Sequence, residues 1–537
     1  MEDSVESSYY SVLYVSFFLA FVGIIIFPID IGLSTEGQKA SKGMVILWAV
    51  LYVATFIMAF GVLPIMRDYW KSGEFSRRER LKETIKSNIR MYLILGVIGI
   101  IIVLYLLLSK MTTLSSLFAI SIALMNTYGL IPVVIFLGIG VVTLPSFILR
   151  QLYPKKEINE LYLRAVELDE DRFSFEMQVV SVKCNVREIM KQTKHEGALK
   201  IAQSILDSMP DDEEISLKRH SRGIIDQNNW LIVNESMSER DVIRCLSKVN
   251  SRCKNVCLTY QRKLNQFDEL LVSIVELRRQ SGTSEIPLET KTGIAGKMKH
   301  CWIYCKQPVL RIVFFVSLIF SAITVFTELT TLLYWVTNKY FSPFRWAYSL
   351  SLSHSLRILL GTLSLVYISV CFFYSYFNFP VPFISSFDLY PHHTDVFALA
   401  QNAINLCRFQ FSLFYHYFTL LQLPDEAYKE IALSTVLGQM TTIPFLGTEF
   451  NSLMPILVVL LAGFALWREL RRGKRIQSRV DDIEEGISEN QLRVKHGQEM
   501  VDICLRKRGL ISDTSEEKKG KRRYWYHDVS IASNQRI

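Results

Sequence analysis

The chain has 537 residues, half of them hydrophobic and 12% aromatic, with a mean hydropathy of +0.23 and a formal net charge of +9. A soluble chain of this length would spread its apolar residues in short periodic patches; here they are gathered in long blocks, which excludes an ordinary soluble globular protein. The positive charge is not a nucleic-acid footprint either, because Lys and Arg cluster beside the apolar blocks, as membrane topology demands.

A helix needs about 20 apolar residues to cross a hydrocarbon core. Taken in chain order, such runs fall at roughly 10–33, 44–66, 91–109, 115–149, 308–334, 352–376, 396–421 and 453–467. Backbone in lipid must satisfy its own hydrogen bonds, and helices do so. The predicted fold is therefore all-α: a polytopic membrane protein with about eight transmembrane helices and a long helical, coiled-coil-like cytosolic loop. Its expected parts are an N-terminal bundle of about four spans (1–149), the loop (150–307), a C-terminal bundle of about four spans (308–467) and a basic tail (468–537).

Charge orients these spans. The connection over 67–90 carries eight basic residues and 468–479 carries six, against two in 34–43 and one in 422–430. The positive-inside rule places the first two in the cytosol, along with both termini and the 150–307 loop. The stretch "IALSTVLGQMTTIPFLG" (431–447) is apolar but short and holds Gly438, Pro444 and Gly447, so it reads as re-entrant or interfacial. The start, "MEDSVESS", lacks the basic region of a cleavable signal, and the first span would act as its own insertion signal. The nine cysteines all fall in expected cytosolic regions or spans, where disulfides are disfavoured. Cys301 and Cys305, just before a span, are candidate palmitoylation sites, with two ordinary thiols at a helix start as the competing reading.

In the loop, Leu246, Val249, Cys253, Val256, Tyr260, Leu264, Phe267, Leu271, Ile274 and Leu277 recur at three-four spacing, which builds a helix with one sticky seam. A second helix over 157–191 has a less regular face of Leu161, Leu163, Val166, Leu168, Phe173, Met177 and Val180. The two are expected to pair antiparallel, either as a docking platform for cytosolic or membrane partners or as a hairpin packed on itself and on the bundle.

Ionisable groups within spans are costly and face the protein interior or a wet cavity. Glu328, Arg357, Arg408 and His416 are the candidates, with Asp30 near the outer end of the first span. They would line a substrate or proton path, or form internal ion pairs that fix helix register; the second reading is favoured. Gly129, Pro132, Gly138, Gly140 and Pro145 in one span would kink it and let neighbours approach closely. His392 and His393 precede the seventh span. Adjacent residues on a helix diverge by about 100°, a poor geometry for one metal ion, so Thr394 or Asp395 is expected to cap that helix instead. No phosphate loop, nucleophile elbow or metal-ligand cluster is found. Neither a catalytic residue nor a cofactor is expected.

Six segments in order, "FFLAFVGIIIFPIDIGLST" (17–35), "GVLPIMRDYWKSGEFSRRERLKETIKSNI" (61–89), "MNTYGLIPVVIFLGIGVVTLP" (125–145), "VFTELT" (325–330), "HHTDVFALAQNAINLCR" (392–408) and "VLGQMTTIPFLGTEFNSLMPILVVLL" (436–461), resemble the limb region (LIMR or LMBR-type) multipass membrane proteins, in particular the branch of LMBR domain-containing protein two. The resemblance covers most of the membrane part; the loop matches only in helical character. It implies nine spans with an outside N-terminus, of which this chain would lack the first. Tyr128 stands where the family commonly has Trp, and "RFQFS" after Cys407 lacks a proline pair often found there, which weakens any carry-over of a role to Arg408. The family implies a plasma-membrane or endolysosomal protein with no shared enzymatic activity: a receptor, a partner in vitamin B12 traffic, or a regulator of G-protein-coupled receptor signalling. The expected function is a non-enzymatic, receptor-like or signalling adaptor acting through the 150–307 loop, with a small-solute transporter as the alternative. The lipid bilayer, anionic inner-leaflet lipids at the basic tail and protein partners at the loop are the expected associates.

Overall fold

A computed structural model of the chain describes residues 2–34, 41–108, 117–210, 237–280, 294–337, 341–349, 354–379, 394–423, 425–437, 448–481 and 489–507, with isolated positions between 379 and 394. Among the described residues the fold is helical throughout, apart from an isolated bridge between Val381 and Ile384. Helices α1 (Glu2–Ser34), α2 (Lys42–Ile57), α3 (Leu63–Lys71), α4 (Arg77–Leu108) and α5 (Leu117–Gln151) form the first group. Outside the bundle lie α6 (Pro154–Gln192), α7 (Glu196–Asp207) and α8 (Glu239–Gln280). The chain continues through α9 (Ile294–Thr337), α10 (Pro343–Ser349), α11 (His354–Asn378), α12 (Val396–Leu421), the short α13 (Asp425–Glu430) and α14 (Ala432–Leu437), α15 (Thr448–Asp481) and α16 (Glu489–Lys507).

Seven stretches among the described residues are long and apolar enough to cross a membrane: 8–33, 42–71, 77–105, 128–151, 305–333, 355–378 and 453–472. The remaining predicted span, 396–421, forms α12, which lies at the centre of the bundle with 20 of its residues buried. Apolarity alone does not mark it, because Asn402, Asn405, Gln410 and His416 are all buried along it. The predicted 431–447 element is in part α14; residues 438–447 lie outside the described residues.

Local chemistry explains an irregular span. α2 and α3 are one run interrupted by a π turn, Met58–Val62. Pro64 has no N–H for the carbonyl four residues back, and that carbonyl, Phe60 O, accepts instead from the Tyr92 hydroxyl of α4. The neighbouring Ala59 carbonyl accepts from Arg408 Nη2 of α12 at 3.3 Å. The bulge is thus satisfied by side chains of two other helices, as backbone in an apolar setting requires.

The glycines predicted to permit close approach in α5 do so. A Cβ on Gly140 would lie 2.1 Å from the Cys371 carbonyl oxygen of α11, and one on Gly129 2.2 Å from Ser412 Oγ of α12. Small residues matter here because packing, rather than exclusion of water, draws helices together in lipid.

The predicted α8 seam is buried at every position except Leu264, which is half-buried. It is consumed internally: its first half packs on α6 and α7, its second on α6 and α16. On α6 the predicted Val166, Leu168 and Val180 are buried and Leu161, Leu163 and Met177 half-buried, but Phe173 is exposed, and the buried face also takes in Tyr162, Ala165, Val179, Val182, Val186 and Ile189.

Candidate functional site

Of the four predicted intramembrane residues, two are brought together. Glu328 of α9 and His416 of α12 meet with Oε1 and Nε2 2.8 Å apart, and neither side chain is more than 1% exposed. The second carboxylate oxygen, Oε2, is buried with no hydrogen-bond partner. Near this pair, Gln422 Nε2 donates to Thr331 Oγ1 at 3.1 Å, tying the end of α12 to α9. Chemically, the pair can share one proton in a site closed to water. Arg408 does not join it. Its guanidinium lies over the Phe60 ring at 4.6 Å and serves the π turn. Arg357 is half-buried on α11.

A second buried centre forms around Asp30, and its role had no signal beyond its charge in an apolar run. Oδ2 accepts from Trp48 Nε1 and from the Leu433 amide, each at 2.9 Å, and Oδ1 accepts from the Ala432 amide at 3.1 Å. One carboxylate thereby holds α1, α2 and the start of α14 together. Charge-assisted bonds of this kind are about twice as strong as neutral ones.

A third centre joins the long helix to the bundle. Asp395 is the N-cap of α12, as predicted, and accepts from the Ala398 amide at 2.9 Å. The same carboxylate takes two bonds from Arg262 of α8, at 2.8 and 3.0 Å. The guanidinium also stacks on Phe387 (4.4 Å) and Phe397 (5.3 Å). Nearby, α8 lies on the turn between α3 and α4: Asn250 Nδ2 donates to the Gly73 carbonyl at 2.7 Å and Lys254 Nζ to the Ser72 carbonyl at 2.7 Å. Burial, and then the charge of Arg80, push Lys254 down to about 8. Between α8 and the ends of α1, α3, α4 and α12 lies a cavity of about 940 Å³.

His392, His393 and the side chain of Cys301 lie outside the described residues. Cys305 is exposed on α9. Among the described residues no group of three or more His, Cys, Asp or Glu is placed to hold a metal ion.

A family model described as LMBR1-like membrane protein matches residues 3–469, nearly the whole of this helical arrangement. The chain belongs to the LMBR1-like membrane protein family. Similar proteins include LMBR1 domain-containing protein 2 homolog A of Dictyostelium discoideum, 25% identical over 77% of this chain and 56% of its own length. G-protein coupled receptor-associated protein LMBRD2B of Danio rerio is 23% identical over 91% of this chain and 72% of its own. G-protein coupled receptor-associated protein LMBRD2 of Homo sapiens is 23% identical over 78% and 62%. The chain spans 56% and 59% of the length of the two Dictyostelium relatives it matches. No solved structure matches this LMBR1-like chain.

Proposed function

We propose that this LMBR1-like protein is a non-enzymatic adaptor that associates with G-protein-coupled receptors or their cytosolic partners, with the bundle as anchor and the α6–α8 layer as docking element. The names of relatives support the class of partner. The observation that carries the site is on α8: with its apolar seam turned inward, it presents Arg244, Lys248 and Arg252 outward at four-residue intervals. A rigid, charged face of this kind steers and selects partners more than it adds raw affinity. The positive-inside rule supports a cytosolic position for this face and for both termini. The test is proximity labelling in cells with the full chain and with Arg244→Glu, Lys248→Glu and Arg252→Glu combined, after checking that both forms reach the same membrane. Loss of a defined set of receptors or cytosolic proteins is expected; identical partner lists overturn the reading.

A proton-linked path for a small solute is the second reading. It is favoured by buried polar atoms without hydrogen-bond partners along α12 and beside it: both amide atoms of Gln410, Arg408 Nε and Glu328 Oε2. Intramembrane ionisable groups mark such paths. Solute flux that survives Glu328→Gln unchanged removes it.

A further inference from the structure

The cavity between α8 and the bundle has a polarity that neither reading above uses. It lies at one membrane-facing level, because it is bounded by the start of α1, the end of α3, the start of α4 and the start of α12. One wall is basic: Arg77 and Arg80 come from α4 and Lys254 from α8. Asp395 is the sole carboxylate among the described lining residues, and it is already engaged by Arg262 on both oxygens. Other lining is apolar and aromatic, with Tyr9 packed edge-on against Trp70 at 5.5 Å, and Val396 and Phe397 in the same lining. Trp70 adds its ring to this lining, with its indole N–H buried away from the open space.

We infer that the cavity binds the phosphate group of an anionic membrane phospholipid, with Arg77, Arg80 and Lys254 facing the phosphate and the aromatic wall taking the glycerol and upper acyl chains. Volume supports more than an isolated phosphate, since pockets of roughly 300–1,000 Å³ hold whole drug-sized ligands. Position supports a lipid, because Tyr and Trp at span ends mark the headgroup level of a bilayer. The depressed Lys254 supports an anion: a cation lowered by burial beside Arg80 is one that a bound phosphate would restore.

The experiment uses the full chain purified in detergent, with native mass spectrometry against phosphatidylinositol 4-phosphate, phosphatidylcholine and soluble inositol 1,4-bisphosphate. Expected is retention of the phosphoinositide in preference to phosphatidylcholine, no retention of the soluble headgroup at matched concentration, and roughly tenfold weaker retention in Lys254→Met and in Arg77→Gln. Arg77 is an exposed side chain, so Arg77→Gln is expected to melt with the wild type, and the melting temperature of Lys254→Met separates lost binding from lost fold. Equal retention of phosphatidylcholine, equal retention by both variants, or tight binding of the soluble headgroup alone each overturns the proposal.

Discussion

Arg262 and Asp395, 133 residues apart in the chain, form a two-point ion pair that fastens the middle of α8 to the first turn of α12. Both are only about one-fifth exposed, and the planar fork of arginine fits a carboxylate in a way that a lysine ammonium does not. Arg262→Lys should therefore behave as a loss. Hydrogen exchange across residues 255–270 should quicken several-fold relative to wild type, with exchange in α5 unchanged. Equal protection in both proteins would show that the apolar seam alone holds α8 in place.

The Glu328–His416 pair distinguishes breaking a buried charge pair from replacing it. Removing one member strands the other and costs about 3–5 kcal/mol, whereas exchanging both for apolar residues of similar size is often neutral. Glu328→Leu should lower the melting temperature in detergent sharply, and Glu328→Leu with His416→Phe should regain most of it. A double variant as weak as the single one would indicate that the packing of the site, and not its charge, is what matters.

Asp30→Asn tests the three-donor centre. An asparagine keeps one accepting oxygen but places an NH₂ against the N–H groups that the second oxygen served. Stranding a buried donor costs about 1–3 kcal/mol. A thermal shift should accompany faster exchange at Ala432 and Leu433, and Trp48→Phe should show the smaller loss. If Trp48→Phe is the worse variant, ring packing outweighs the carboxylate.

Close approach makes Gly140 and Gly463 opposites. An alanine at 140 drives a methyl into the backbone of Cys371, whereas at 463 nothing lies within 4 Å. Gly140→Ala should cost about 1–3 kcal/mol through forced separation of α5 and α11. Gly463→Ala should be neutral or slightly stabilising, since alanine is the better helix former. The comparison is read as the difference in melting temperature.

Phosphoinositide retention should fall as pH rises above about 8, where free Lys254 loses its proton. The sign comes from the unbound site. Below pH 8 the ammonium is present and binding is full; above it, binding must also take up a proton. The thiols facing it do not reverse this: Cys257, together with burial, holds Cys253 protonated, while the bond from Cys253 lowers Cys257, whose thiolate would repel the phosphate in the same direction. Lys254→Met should flatten the pH dependence, leaving the part that Cys257 carries.

Span positions are legible in the sequence because apolar block length is a one-dimensional property. The seam of α8 is legible for a similar reason, since three-four spacing survives whatever the partner. Its packing partners are not: Leu246 and Ile274 look alike in the pattern, yet one faces α6 and α7 and the other faces α6 and α16. Glu328 and His416 are visible as expensive charges, but their pairing spans 88 residues and no local pattern encodes it. Helical spacing alone groups Arg408 with His416; the π turn at Met58–Val62 claims it instead, because Pro64 leaves carbonyls there without their usual donors. Asp30 looks like an edge charge, and only the folded backbone reveals that the amides of Ala432 and Leu433 come to rest on it.

Helix α16 bears on how the protein is made. Val501 and Leu505 of α16 are completely buried in the same cluster as Tyr162 of α6 and Ile274 of α8, Arg278 pairs with Asp502, and a Cβ on Gly497 would strike the Tyr162 carbonyl at 2.3 Å. The layer laid down early in synthesis is therefore left with an open apolar face until the ribosome has finished α15 and released α16 behind it. During that interval the nascent chain needs a chaperone or the membrane surface to shield it, and a premature stop before residue 489 would leave the face uncovered for good.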